Sequence, residues 1–331
     1  MGYVLEILAS LVIILLGAKY FTNGMEWLGK KLQLSKGAVG SVFAAVGTAL
    51  PETIVPVVAI LFGTGAIGHE VGVGAILGAP FMLSTVAFVV VGVATLTARN
   101  RESRNIMPNR CIRRDLTFFL IVYTLAVGAT FMSPLGKNLV VVVLIMAYIT
   151  FVYQTLRDEE CFGEDDVVEP LYFARKQEDP DQWRIILQVV LALGAIIVGA
   201  KLFVDGVTAL AVGLGVPAFI FALLIAPVAT EMPEKFNSVI WINEEKDTLA
   251  MGNITGAMVF QSSMIPALGI ALTPWELSGA AFLSVALALL SAAGALIYYC
   301  RFGHLSLKVM IATGGTFYMV FIMAVIFGGL R

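Results

Sequence analysis

The chain has 331 residues, 59% of them hydrophobic and 13% charged, with a formal net charge of −2 and a mean hydropathy of +0.91. A composition this apolar excludes a soluble globular domain, and the net charge says little, because in a membrane protein the distribution of charges matters more than their sum; no nucleic-acid partner is expected. The protein is expected to be an all-α polytopic membrane protein with lipid as its solvent.

A helix that crosses a ~30 Å hydrocarbon core takes about 20 apolar residues. Ten such runs follow one another, at 3–27, 38–62, 70–97, 115–133, 138–156, 184–209, 216–242, 248–272, 276–299 and 306–329. The first has no basic n-region and no small-residue cleavage site ahead of polar sequence, so it is read as a retained helix. It carries Lys19, as the sixth run carries Lys201; such lysines are read as snorkelling toward an interface, with a gating role as the rival, and Asn23 and Asp205 one turn on are offered as their partners. Basic residues sort by loop. Odd-numbered connections hold Lys30, Lys31 and Lys36, then Arg99, Arg101, Arg104, Arg110, Arg113 and Arg114, then Arg157, Arg175, Lys176 and Arg184; even-numbered ones hold little besides Lys137. The positive-inside rule therefore predicts cytoplasmic odd connections and extracytoplasmic termini.

Laid over itself at a shift of 182 residues, the sequence matches. "GAKYFTNGMEWLGKKL" at 17–32 falls on "GAKLFVDGVTALAVGL" at 199–214, with Gly17/Gly199, Ala18/Ala200, Lys19/Lys201, Phe21/Phe203 and Gly24/Gly206 identical. The same register lays "GTALPE" at 47–52 over "ATEMPE" at 229–234, and after a gap of four residues "GAILGAPFMLS" at 74–84 falls on "GNITGAMVFQS" at 252–262. Five runs per half force the second half into the membrane in the opposite sense. Inverted repeats of this kind build secondary transporters, whose sites lie near the midplane where discontinuous helices meet. Between the halves, "DEECFGEDDVVEP" and "QEDPDQ" have the composition of a solvated linker. The chain thus divides into a five-helix repeat at 1–156, an acidic cytoplasmic linker at 157–183 and a second five-helix repeat at 184–331.

The second and seventh runs each carry a proline followed by a glutamate, Pro51-Glu52 and Pro233-Glu234. A proline inside a helix removes a backbone hydrogen bond and costs ~3 kcal/mol or more, so both runs are expected to be broken helices. Broken backbone at membrane depth is tolerated where protein or a water-filled cavity satisfies it. A charged acid there costs about 2.5 to 3.5 kcal/mol on the lowest scale and marks ion pathways. Two facing carboxylates with carbonyls near Thr48 and Thr230 approach the oxygen shell that a divalent cation such as Ca2+ takes. Glu231 stands four residues before Lys235, on one helix face, either as a structural ion pair or as a third acid whose charge Lys235 adjusts. Gln261 and Asn253 offer amide oxygens to an ion or hydrogen bonds across helices.

"GTALPE" and "ATEMPE", each followed by a Gly-x-x-x-Gly segment opening the next helix ("GAILG", "GNITG"), resemble the two alpha-repeats of the cation/Ca2+ exchanger superfamily, which includes Na+/Ca2+ exchangers. The resemblance implies that the acid after each proline binds Ca2+ and is shared with Na+ or H+, that the threonine supplies oxygen, and that the helix after the Gly-x-x-x-Gly adds small polar ligands. It marks Glu52, Glu234, Thr48 and Thr230 as site residues. The chain departs from that pattern at Ala49 and Glu231, where a serine is usual, at Ala79-Pro80 and Ala257-Met258 in place of Ser-Asn, and at Leu83 against Gln261.

The expected function is a secondary active cation antiporter, Na+/Ca2+ exchange by alternating access, with H+ as the rival driving ion and a channel or nontransporting sensor as the reading from another class. Ca2+ and Na+ are cargo, and no cofactor is implied. The chain has no phosphate-binding loop, nucleophile constellation or His cluster, so enzyme chemistry is not expected.

Overall fold

In the computed structural model, residues 2–32, 44–98, 105–107, 110–157 and 169–327 are described. They are almost entirely helical. In chain order come α1 (Gly2–Lys31), α2 (Ala44–Phe62), α3 (Gly65–Ser84), α4 (Val86–Thr97), α5 (Cys111–Gly128), α6 (Pro134–Arg157), α7 (Gln182–Leu214), α8 (Ala218–Thr230), α9 (Met232–Asn243), α10 (Asp247–Leu272), α11 (Gly279–Phe302) and α12 (Leu307–Phe327). A two-residue antiparallel ladder, Asn105 against Ser306 and Ile106 against Leu305, is the one strand pairing among the described residues.

Among the described residues eight spans are long and apolar enough to cross a membrane, α3 and α4 together forming one of them; the segments at Ala49–Phe62 and Ala218–Val228 are apolar but shorter. The protein is an integral, multi-pass membrane protein. The first of these contains Pro51-Glu52, whereas the second ends five residues before Pro233-Glu234, which lies on α9. Part of the second expected run, residues 38–43 of 38–62, lies outside the described residues.

The chain forms two compact units, one of Met1–Gly72 with Gly163–Ala218 and one of Val73–Phe162 with Phe219–Arg331. In the first, α1 packs antiparallel on α7 through glycines. A Cβ at Gly17 would come 2.8 Å from Ile196 Cγ1 and one at Gly199 2.8 Å from Ile14 Cγ1, while Gly24 meets Val189 and Gly206 meets Ile7 in the same way. Apolar attraction does not draw helices together in lipid, so small residues that let backbones approach supply the packing. The linker's described end closes over this pair: Trp27 Nε1 donates to Glu169 O (2.9 Å), and the buried Leu171 and Ile185 pack with Trp27.

The second unit carries an interruption that the proline pattern did not announce. Helix stops at Ser84 and resumes at Val86, with Thr85 at φ −117°, ψ −79°. The Ser291 hydroxyl donates to Ser84 O (2.5 Å), and a π turn at Ile311–Gly315 brings Gly314 so close that a Cβ there would meet Thr85 O at 2.4 Å. The loosened backbone is therefore satisfied by protein, as lipid depth requires.

By contrast, the expected break after Pro51 is not there. α2 runs as one helix through Pro51 and Pro56. A proline deletes a single backbone bond and can be absorbed as a bend without ending the helix. At the other expected break the helix is interrupted by a single residue: α8 ends at Thr230, Glu231 stands between helices at φ −92°, ψ −39°, and α9 begins at Met232 with Pro233 in its first turn, while Glu231 N still bonds Pro227 O (2.8 Å) and Lys235 N bonds Glu231 O (3.3 Å).

Candidate cation-binding site

The acids of the proline motifs fall in different units. Glu52, on α2 in the first, is buried at 7% exposure. One residue on, Thr53 ties its hydroxyl to Ala49 O (2.8 Å) in its own helix. The side chains of Thr48 and Glu234 lie outside the described residues.

At the α8–α9 interruption a polar cluster assembles within the second unit. Glu231 is wholly buried, and Lys235, one turn later on α9, is 1% exposed with Nζ 3.7 Å from Glu231 Oε2. Lys235 Nζ also donates to the backbone carbonyl of Asn253 on α10 (3.4 Å). The Asn253 amide nitrogen donates to Ser238 Oγ (2.9 Å), and Ser238 donates onward to Ala250 O (3.1 Å). Thr230, also buried, gives its hydroxyl proton to Ala226 O (3.1 Å), which leaves its lone pairs as the part that can face a cation. Gln261 is buried on α10 two turns beyond Asn253. The structure thus gathers Glu231, Lys235 and Asn253, keeps Thr230 beside them on the chain, and adds Ser238, which the sequence reading missed. A serine three residues after Lys235, on the same helix face, was the available signal.

Gly74 and Gly78 carry the first Gly-x-x-x-Gly against α8. A Cβ at Gly74 would fall 2.4 Å from Phe219 O, and one at Gly78 2.2 Å from Leu223 O and 2.8 Å from Pro227 Cγ. The proline-bearing helix that ends at the interruption is seated directly on backbone.

The sequence profile described as Sodium/calcium exchanger protein matches residues 2–157 and 184–328, that is, nearly everything outside the linker. The chain belongs to this exchanger family. Its relatives include the putative antiporter CaxA of Alkalimonas amylolytica, 24% identical over 283 residues that cover 83% of this chain and 82% of that one. The sodium/calcium exchanger MaX1 of Methanosarcina acetivorans is 23% identical over 277 residues, 77% and 79% of the two chains. Among solved structures, the H+/Ca2+ exchanger CAX superposes with a TM-score of 0.76 over 98% of this chain and 82% of its own at 18% identity; the sodium-calcium exchanger NCX_Mj does so with 0.57 over 97% of both at 16%. These similarities show a shared fold. Membership makes the chain a carrier of the exchanger family and not an enzyme.

Two further features of this exchanger-family chain bear on the sequence reading. Lys201 pairs with Asp205 as expected (2.6 Å), but Asn23 does not hold Lys19. Asn23 accepts from Tyr172 N (3.1 Å) and Gln188 Nε2 (3.0 Å), and Lys19 lies over the Tyr172 ring instead. An amide is neutral, and the backbone of the linker outbids a lysine for it. The second feature is a buried acid that went unnoticed. Asp115 on α5 accepts from Arg114 (3.0 Å) and from Thr255 on α10 (2.7 Å), at 3% exposure. With Arg110–Arg114 assigned to a basic loop and the run begun at Asp115, the sequence hid the fact that the helix already starts at Cys111.

Proposed function

We propose that the protein is a secondary active antiporter exchanging Ca2+ for a monovalent cation by alternating access. Its two five-helix repeats, 1–156 and 184–331, would be inserted in opposite senses around a cytoplasmic linker at 157–183, giving ten spans and extracytoplasmic termini. The cargo is held by Glu52 and Glu234 with Thr48 and Thr230, and Glu231, Asn253 and Gln261 contribute from the second repeat. Oxygen atoms of these kinds suit a hard divalent ion. The observation that carries the reading is the match of one exchanger family to both halves of the chain with a buried glutamate at a helix interruption in membrane-spanning sequence. The reciprocal glycine contacts of α1 and α7 support the repeat, because Gly17 meets Ile196 where Gly199 meets Ile14, and each pair is related to the other by the same shift of 182 residues.

The driving ion is read as Na+, as the MaX1 relative's name has it for that protein. H+ is the second reading, favoured by the excess of carboxylates over hydroxyls in the site and by the H+/Ca2+ exchange named for the CAX structure. The test is 45Ca2+ flux into proteoliposomes under separate Na+ and H+ gradients. Glu52→Gln and Glu234→Gln are each expected to abolish uptake, while Glu231→Gln shifts the preference away from divalent ions. Wild-type rates in either of the first two variants would remove the site assignment, and uptake indifferent to both gradients would replace the antiporter with a channel.

A further inference from the structure

The Glu231–Lys235 pair is sealed from water on both sides, its side chains 0% and 1% exposed. Replacing such a pair by apolar side chains is often neutral or stabilising, so stability alone gives no reason to keep two charges here. Its surroundings resemble ion coordination more than a helix-surface bridge. Lys235 Nζ stands between a carboxylate oxygen (3.7 Å) and a backbone carbonyl (3.4 Å), the oxygen types that hold Na+ and Ca2+. That carbonyl is fixed in turn, since the Asn253 side chain is anchored through Ser238 to Ala250 O. The pair also sits at the α8–α9 interruption, bracketed by Pro227 and Pro233 and next in sequence to Glu234.

We infer that Lys235 is a tethered cation. Its ammonium takes the place of one transported monovalent ion beside Glu231, and this rests on the antiporter reading above. Glu52, Glu231 and Glu234 bring three negative charges and Lys235 returns one positive, which leaves a charge of −2. One Ca2+ neutralises that, and so do two monovalent cations. The exchange is therefore one for two and moves no net charge, whether the monovalent ion is Na+ or H+.

The full chain in proteoliposomes tests this, with 45Ca2+ uptake measured while K+ and valinomycin hold the membrane potential at zero or inside-negative. Wild-type uptake is expected to be the same at both potentials. Lys235→Met leaves Glu231 to be neutralised by an additional mobile ion, so its uptake becomes potential-dependent. Glu231→Gln leaves a charge of −1 and lowers apparent Ca2+ affinity by about tenfold or more; adding Lys235→Met to it restores the charge of −2, and with it potential-independent uptake. A wild-type rate that changes with potential overturns the inference and needs no variant to fold. So does a Lys235→Met protein that transports as indifferently to potential as the wild type. Glu52→Gln and Glu234→Gln separate this outcome from failure of the underlying reading: if they still transport, the site itself is wrong, whereas if they are silent and the wild type is electrogenic, only the tethered cation falls.

Discussion

Most buried hydroxyls of this protein bond carbonyls of their own helix, but some buried polar residues reach across to another, and Asp115 is the clearest case. Its carboxylate takes Arg114 from its own helix and the Thr255 hydroxyl from α10, all inside the second unit. With Asp115 and Arg114 side chains at 4% and 17% exposure, removing one partner strands a charge. Asp115→Asn is expected to lower stability by about 3–5 kcal/mol, whereas Thr255→Val, which deletes one hydrogen bond, costs about 1 kcal/mol. Thermal unfolding of the two variants in detergent checks the ratio, and equal losses would mean that the charge is compensated elsewhere. The acid was legible as a residue type but not as a partner, because sequence spacing links Arg114 to Asp115 and says nothing of Thr255 on a helix far along the chain.

Helices here meet at glycines, and the chemistry of what faces each glycine orders the consequences of filling it. At Gly78 an added methyl meets the Leu223 carbonyl at 2.2 Å, a backbone atom that can yield only if α8 moves as a whole. At Gly17 the nearest atom is Ile196 Cγ1 at 2.8 Å, in a side chain that can change rotamer, and backbone comes no nearer than Ala192 O at 3.2 Å; no described atom lies within 4 Å of the Cβ position at Gly194. Gly78→Ala is therefore expected to destabilise most, by about 1–3 kcal/mol; Gly17→Ala destabilises less, and Gly194→Ala gains about 0.5–1 kcal/mol from helix propensity. Melting temperatures in one detergent should fall in that order, and a reversal of Gly78 and Gly17 would contradict the α3–α8 approach. The sequence announced the Gly-x-x-x-Gly segments and the interruption after Thr230, since both are written in local composition. It misplaced the interruption of the first half, because Pro51 is absorbed within α2 while the break at Thr85 is stabilised by Ser291 and Gly314, more than 200 residues away. The Thr48 and Glu234 side chains, on which half of the candidate site depends, lie outside the described residues.

At the scale of the whole chain, the proposed opposite insertion of the two repeats fixes which loops share a side of the membrane, and this can be tested without any ion flux. Five spans in the first repeat put the 157–183 segment on the same side as the basic loops around Lys31 and Arg113, and the Ser133 connection on the other. The ion pair of Lys31 with Asp179 (2.6 Å) agrees with this, since it joins the first odd connection to the linker within one unit. Asp179 has a side chain 79% exposed, and Ser133 is exposed between α5 and α6, so a cysteine at either position is open to a membrane-impermeant maleimide. Cys300, an exposed free thiol, is first replaced by serine to remove its background. In right-side-out cells Ser133→Cys should label directly, and Asp179→Cys only after the membrane is permeabilised; inside-out vesicles should reverse the two. Labelling of both from one face would mean an even number of crossings between them. The second repeat would then enter the membrane in the same sense as the first, and the proposed pairing of Glu52 with Glu234 would lose its basis.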